Sequence, residues 1–437
     1  MEIRIILSYG DKKVLFLEDR IMATNKELYD ERLNRIKKTI AMEKADRVPV
    51  VPFFQSFPYL WAGYTIAECF YDVEKAKDAY RKFLNHFQPD MAIGYASLFL
   101  GQGPIMEKLQ AKLFDWPGRP GTKVDPRNIF QYIEKPYLAD GEYPELLSDA
   151  SGWYMNKWLP RTYGALEGLK NFNIPMMSSY SIPAAMVQFA NPQVVEIAQN
   201  LHEVGQMSAA WLGGVAAFEQ EMIEMGYPIW AGAVTTTAFD MLSDTLRGTI
   251  DTMADLYENP EEVHKAVEMF YPASFFGAVA QMQHANGLFV FIPLHKGLDG
   301  FMSPKQYDEF YWPTLQRMLE GLIQMGYTPL VYTEGKYDSR LERIKEITPG
   351  KCLYHFEDVD MKEAKRIVGK DHCISGGLSS QTLRLGKPDQ VRDAVKALFD
   401  ICAVDGGYIF DLSDTIDDVP VENVEAMMET ALDYGKY

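Results

Sequence analysis

The chain holds only four cysteines in 437 residues, Cys69, Cys352, Cys373 and Cys402, and none falls in a C-x-x-C pair. That scarcity excludes a disulfide framework and a thiolate-rich zinc site, and it fits a reducing compartment. Long apolar runs are missing too. The stretch 209–218 is among the longest, far below the roughly 18 residues that span a membrane. No basic segment followed by an apolar one opens the chain, so the reading is a cytoplasmic protein. Positive charge is in deficit, with 43 Lys plus Arg against 61 Asp plus Glu and a net charge of −18. Such a surface repels nucleic-acid phosphates and anionic lipid, which disfavours both as partners. G-x-G-x-x-G, the Walker loop, G-x-S-x-G and H-E-x-x-H are absent, and the dinucleotide, nucleotide and common hydrolase readings go with them.

What is present is an ordinary globular composition, 47% hydrophobic and 24% charged, read as one domain over residues 1–437. From residue 227 onward, short apolar runs at 227–234, 287–294, 328–333, 352–356, 373–378 and 408–412 alternate with helical stretches. Runs at 47–54 and 89–95 have the same character. Eight strands joined by helices predict an α/β fold of the (β/α)8 barrel type. Helix starts are marked by Asn191-Pro192, Asn259-Pro260 and Ser303-Pro304, where the cap residue serves free amides and proline loses no hydrogen bond. After Ser303, the residues Tyr307, Phe310, Tyr311, Leu315, Met318, Leu319 and Leu322 recur at helical spacing and read as core. Residues 1–45 read as an N-terminal helical extension, within which Met22 marks a natural start and 1–21 lie upstream of it. The turn-rich stretch 115–122 breaks the rhythm, so about 96–226 reads as an insertion between strands two and three, over the barrel mouth.

Barrel enzymes place working residues at strand C-termini. Here those ends read Pro293-Leu-His295-Lys296, Tyr332-Thr-Glu334-Gly335, Tyr354-His355-Phe-Glu357 and Phe410-Asp-Leu-Ser-Asp414. Carboxylates and imidazoles converging on one mouth form an oxygen and nitrogen donor set that zinc accepts. Glu334 with His355 is the leading metal pair. The bland alternatives are an ion pair of Glu334 with Lys336 or Arg340, a hydrogen-bonded rim histidine at His355, and a cap or turn at Asp414. His295 reads as an acid, base or hydrogen-bond donor in the pocket, or as the anchor of the loop 297–300. The other histidines, His86, His202, His264, His284 and His372, lie away from strand ends and read as structural. Phe53, Phe54, Phe57, Tyr59 and Trp61 crowd the end of the first strand, either as core or as the wall of an aromatic ligand pocket.

Four stretches carry a family resemblance: 45–50 (ADRVPV), 239–248 (FDMLSDTLRG), 301–313 (FMSPKQYDEFYWP) and 420–427 (PVENVEAM). With them, the chain from about residue 32 to 434 resembles the uroporphyrinogen decarboxylase superfamily, which implies an eight-stranded barrel. That superfamily holds porphyrinogen decarboxylases and zinc methyltransferases that serve corrinoid proteins. The decarboxylases need arginines just after the first strand to grip a polycarboxylate, and this chain offers Phe53 to Trp61 there instead. In the methyltransferases a His-x-Cys-Gly motif and a late Cys hold zinc; the matching positions here are Tyr332, Glu334 and Asp414. Glu334 followed by His355 is similar to the variant zinc motif of methyltransferases that demethylate aryl methyl ethers in anaerobic bacteria. The resemblance thus implies zinc on Glu334, His355 and Asp414, with His295 and Tyr332 acting at the pocket. It further implies a methoxylated, aromatic small-molecule methyl donor, a separate corrinoid protein as acceptor, and room for a homodimer. The rivals are a uroporphyrinogen-type decarboxylase and a non-catalytic ligand-binding barrel.

Overall fold

The computed structural model describes residues 24–172 and 180–437. The expected upstream extension 1–21, and residues 173–179 of the expected insertion, lie outside the described residues.

Thr24 starts the first helix, Asn25–Ile40, with a reciprocal cap: its hydroxyl accepts from Glu27 N, and the Glu27 carboxylate accepts from Thr24 N. Ile36 and Ile40 on the buried side pack with Val51, Met91, Trp230, Phe289, Leu330, Leu353, Cys373 and Ile409. These residues lie toward the beginnings of the strand-forming segments. The helix therefore plugs the N-terminal end of the sheet and leaves the C-terminal end for chemistry.

Between residues 96 and 226 the chain forms a short antiparallel pair, β1 (Phe114–Asp115) with β2 (Gln131–Tyr132), and a 33-residue helix, Pro192–Glu224, capped by the Asn191 side chain. A parallel sheet follows, its strands neighbouring one another in chain order: β3 (Ala231–Val234), β4 (Phe289–Leu294), β5 (Thr328–Lys336), β6 (Leu353–Asp358), β7 (Cys373–Gly376) and β8 (Tyr408–Ile409). Parallel neighbours need crossovers, and helices such as Pro260–Met282, Trp312–Gln324 and Pro388–Cys402 supply them. The stripe expected from Tyr307 to Leu322 is buried at all seven positions.

The six later strands stand where the apolar runs place them. The two earliest runs form isolated bridges instead of strands: Val50 to Phe410 and Ala92 to Ile229, both parallel, lie at the two edges of the sheet, and Arg47 and Phe54 bridge Lys436 and Ile416. Pro49, Pro52 and Pro89 have no N–H to give a ladder, which keeps these segments from becoming regular strands. Asp90 joins them. Its buried carboxylate receives Arg35 and Arg47 at 2.6 Å each and Val50 N at 2.7 Å, while Asp90 N donates to Val50 O at 2.8 Å. Two guanidinium groups and an amide compensate one anion, the arrangement a buried charge requires. All four cysteines are free and buried. Among the described residues no helix is long and apolar enough to cross a membrane.

Candidate active site

β4 ends at Leu294, and the chain leaves it through His295 and Lys296. Facing this exit, Thr237 caps the helix Ala238–Leu242, its hydroxyl accepting from Asp240 N at 3.0 Å. The fully buried Asp240 carboxylate accepts from His295 N at 3.2 Å, Lys296 N at 3.0 Å and Tyr311 Oη at 2.5 Å. Three donors on one carboxylate fix the direction in which the β4 exit presents its side chains. Burial, reinforced by the charge of Asp244, pushes Asp240 up to about 6.

Four residues later, in the π-helical turn Ser243–Arg247, Asp244 meets the side chains of the residues whose backbone Asp240 holds. Its Oδ2 lies 2.5 Å from His295 Nδ1 and its Oδ1 3.1 Å from Lys296 Nζ. On the far side of the ring, His295 Nε2 lies 3.5 Å from Glu334 Oε1. Burial works against charge on the imidazole, but the hydrogen bonds to Asp244 and Glu334 outweigh it and push His295 up to about 11. His295 is therefore an imidazolium at neutral pH, with two N–H donors. Burial likewise opposes ionisation of Asp244, and the contacts with His295 and Lys296 hold its carboxyl below the usual range.

These groups open on a cavity of about 530 Å³, whose apolar wall is Leu298, Phe301 and the ring of Tyr132. Tyr132, on β2, donates its hydroxyl to Asp244 O at 2.6 Å and so ties the region before β3 to the cavity rim. Lys296 Nζ stands 3.7 Å from Glu134 and 5.5 Å over the Phe301 ring. Gly335 takes φ +77, which a side chain would strain, and its N–H donates to Glu357. Burial pushes Glu357 up from its ordinary value; the Gly335 N–H opposes that, and the charges of Glu334 and Asp414 add to it.

The structure brings His295 and Glu334 together at this cavity and sets the other expected site residues apart from it. His355 is buried, its Nδ1 3.2 Å from both Asp411 Oδ2 and Ser375 Oγ, and its Nε2 3.2 Å from Ser413 O. With Nε2 against a carbonyl and Nδ1 between a carboxylate and a hydroxyl, both ring nitrogens of His355 are engaged by protein groups and neither is turned to a metal. Asp414 accepts from Ser380 Oγ at 2.8 Å. Among the described residues no group of three or more His, Cys, Asp or Glu side chains gathers closely enough to hold a metal ion. As arranged, Glu334, His355 and Asp414 do not fit a resident zinc. Arg340, the suggested ion-pair partner of Glu334, instead donates to Gly297 O and Met302 O.

Tyr332 stacks on His355 with ring centres 4.0 Å apart, beneath the cavity rather than on its wall. Nor does the aromatic segment wall this cavity: none of Phe53, Phe54, Phe57, Tyr59 and Trp61 lines it. The short helix Phe57–Trp61 lies on the helix Val73–Phe87, with Phe57 and Trp61 5.7 and 5.2 Å from Phe87. Phe54, Phe57 and Tyr59 are main core, and Phe53 packs inside the sheet against Trp230 and Tyr332. Sequence reasoning gave no role to Asp240 and Asp244, although both lie in the stretch 239–248. Their four-residue spacing behind a capping threonine was the available signal.

Residues 219–434 match the uroporphyrinogen decarboxylase (URO-D) family model. The URO-D match contains every cavity residue named above except Tyr132 and Glu134. A methyltransferase from Methanosarcina mazei has a similar structure, with a TM-score of 0.58 at 14% identity over 94% of this chain and 99% of its own. A B12-independent methionine synthase from Shewanella sp. W3-18-1, in complex with selenomethionine, gives a TM-score of 0.35 at 14% identity, covering 51% of this chain and 64% of its own. Among curated proteins nothing matches the chain. At such identity the first likeness speaks for an α/β fold with a parallel sheet and not for a substrate.

Proposed function

We propose that this chain is a methyltransferase that takes a methyl group from a methoxylated small molecule, an aryl methyl ether, and passes it to the cobalt of a corrinoid on a separate protein. The ring of segments from Val50 through β8 is read as a closed (β/α)8 barrel, with 96–226 as an insertion at its mouth. The observation that carries the chemical reading is the placement of the His295 ring between the carboxylates of Asp244 and Glu334 at the cavity.

A methyl ether gives up its methyl group only if the departing oxygen is stabilised. When the nucleophile takes the methyl carbon, the C–O bond breaks and its electron pair stays on oxygen. His295 Nε2–H points to the Glu334 side of the cavity and is placed to donate to that oxygen as charge builds. A phenol has a pKa of about 10, close to the value of about 11 to which His295 is pushed. The ring therefore keeps its proton while charge builds on the oxygen, and the hydrogen bond shares that charge. Asp244 keeps the ring oriented and charged, and Asp240 fixes the backbone that carries it. A cobalt(I) corrinoid, when docked, supplies the strong nucleophile.

The family description also raises porphyrinogen decarboxylation. Against it, both cavity cations, His295 and Lys296, are already paired with Asp244, which leaves far less counter-charge than a polycarboxylate requires. The test is a single-turnover mixture of protein, cobalt(I) corrinoid and 2-methoxyphenol, followed by release of catechol. Catechol formed in step with loss of cobalt(I) is the expected result. No demethylation of any ether, with carbon dioxide released from a porphyrinogen, would overturn the proposal.

A further inference from the structure

Resting on the reading of this cavity as the methyl-donor site, we infer that the site selects by charge: it takes methyl donors that are neutral or cationic and rejects those bearing a carboxylate. The lining holds Glu134, Asp240, Asp244 and Glu334 against two cations, His295 and Lys296. Both cations are already faced by carboxylates, and the one N–H left within reach of a ligand, His295 Nε2–H, has Glu334 3.5 Å away to repel a ligand carboxylate. Lys296 Nζ is shared by Asp244 at 3.1 Å and Glu134 at 3.7 Å, and the two ring nitrogens of His295 face Asp244 and Glu334. A carboxylate on the ligand would enter a half-enclosed space with surplus negative charge and no unspent guanidinium or ammonium to receive it. Glu357 and Asp414, which act on one another beside Glu334, deepen the same potential, as does the net charge of −18.

The cavity is also furnished with acceptors. Glu334 is half-exposed, and among the described residues its carboxylate has no contact with a cation closer than His295 at 3.5 Å. Thr236 Oγ1, on the lining, is buried without a hydrogen-bond partner. A ligand N–H or O–H donor next to the ether would satisfy the Glu334 carboxylate, while Phe301, Leu298 and Tyr132 take an aromatic ring. A cationic group gains further from the aromatic faces.

Calorimetric titration of the full chain at low ionic strength tests this with 2-methoxyphenol, 4-hydroxy-3-methoxybenzoate and 4-hydroxy-3-methoxybenzylamine, and with the ether-free pair benzoate and benzylamine. The expected order is amine at least as tight as the neutral phenol, and benzoate weaker by about tenfold or more, as one unscreened like-charge contact implies. In Glu334→Gln the gap between neutral and anionic ligands narrows. Equal or tighter binding of the methoxybenzoate overturns the inference, as does failure of all five to bind at millimolar concentration. If the charge order holds, in the ether-free pair as well, but no ether is demethylated, the functional reading falls and the charge selection stands.

Discussion

His295 Nδ1 and Asp244 Oδ2 stand 2.5 Å apart, one at the exit of β4 and the other on a π-helical turn 51 residues earlier in the chain. This contact converts an ordinary histidine into a lasting cation, and it sets the first expectation. Because the folded pKa of His295, about 11, lies above the unfolded value of about 6.5, its contribution to stability is fully present below about pH 6.5. It is lost as pH rises toward 11. Chemical denaturation at stepped pH should therefore show the wild type losing stability across that window more steeply than His295→Gln. Parallel pH profiles would refute the pairing.

Asp244→Asn removes the anion that holds His295 charged. Methyl transfer should fall by about 10² to 10³, and the alkaline limb of its pH profile should move down by more than one unit, because the imidazolium then deprotonates earlier. A lowered rate with an unmoved profile would make Asp244 merely structural.

Asp90 is buried with two arginines and one amide on its carboxylate, so Asp90→Ala strands two cations beside the two earliest segments. A loss of about 3 to 5 kcal/mol in equilibrium unfolding is expected. A loss below about 1 kcal/mol would mean the network is incidental.

Phe57 lies in the core against Phe54, Phe83 and Phe87. Phe57→Ala should cost about 3 to 5 kcal/mol of stability and leave the ligand affinity of the folded fraction unchanged, as thermal melts and titrations will separate. Weakened binding at intact stability would return the ring to the pocket wall.

The parallel sheet was legible because its strands are continuous apolar runs, the signature of a sheet buried on both faces. The first two segments were legible as apolar but not as irregular, since the effect of Pro49, Pro52 and Pro89 depends on which neighbour each lost N–H would have met. The site was half legible. His295 and Glu334 stood out because a charged residue closing an apolar strand must face the mouth. Asp240 and Asp244 did not, because on a helix a carboxylate looks solvated until tertiary packing buries it. His355 misled for the opposite reason: β6 runs on to Asp358, so His355 sits inside the strand and faces inward, where Asp411, Ser375 and Ser413 satisfy it. The aromatic cluster could not be divided between core and pocket until the helix Val73–Phe87 was seen to cover Phe57 and Trp61.

The most direct test of the account is the dependence of single-turnover methyl transfer on the leaving group, measured with ring-substituted methyl phenyl ethers on the wild type and on His295→Gln. If the His295 imidazolium shares the charge on the departing oxygen, the wild-type rate should rise only gently as the phenol pKa falls. The variant should show a steeper dependence, with its largest loss, about 10² to 10⁴, for the most basic leaving groups. Equal slopes in the two proteins would contradict the account and remove His295 from the reaction.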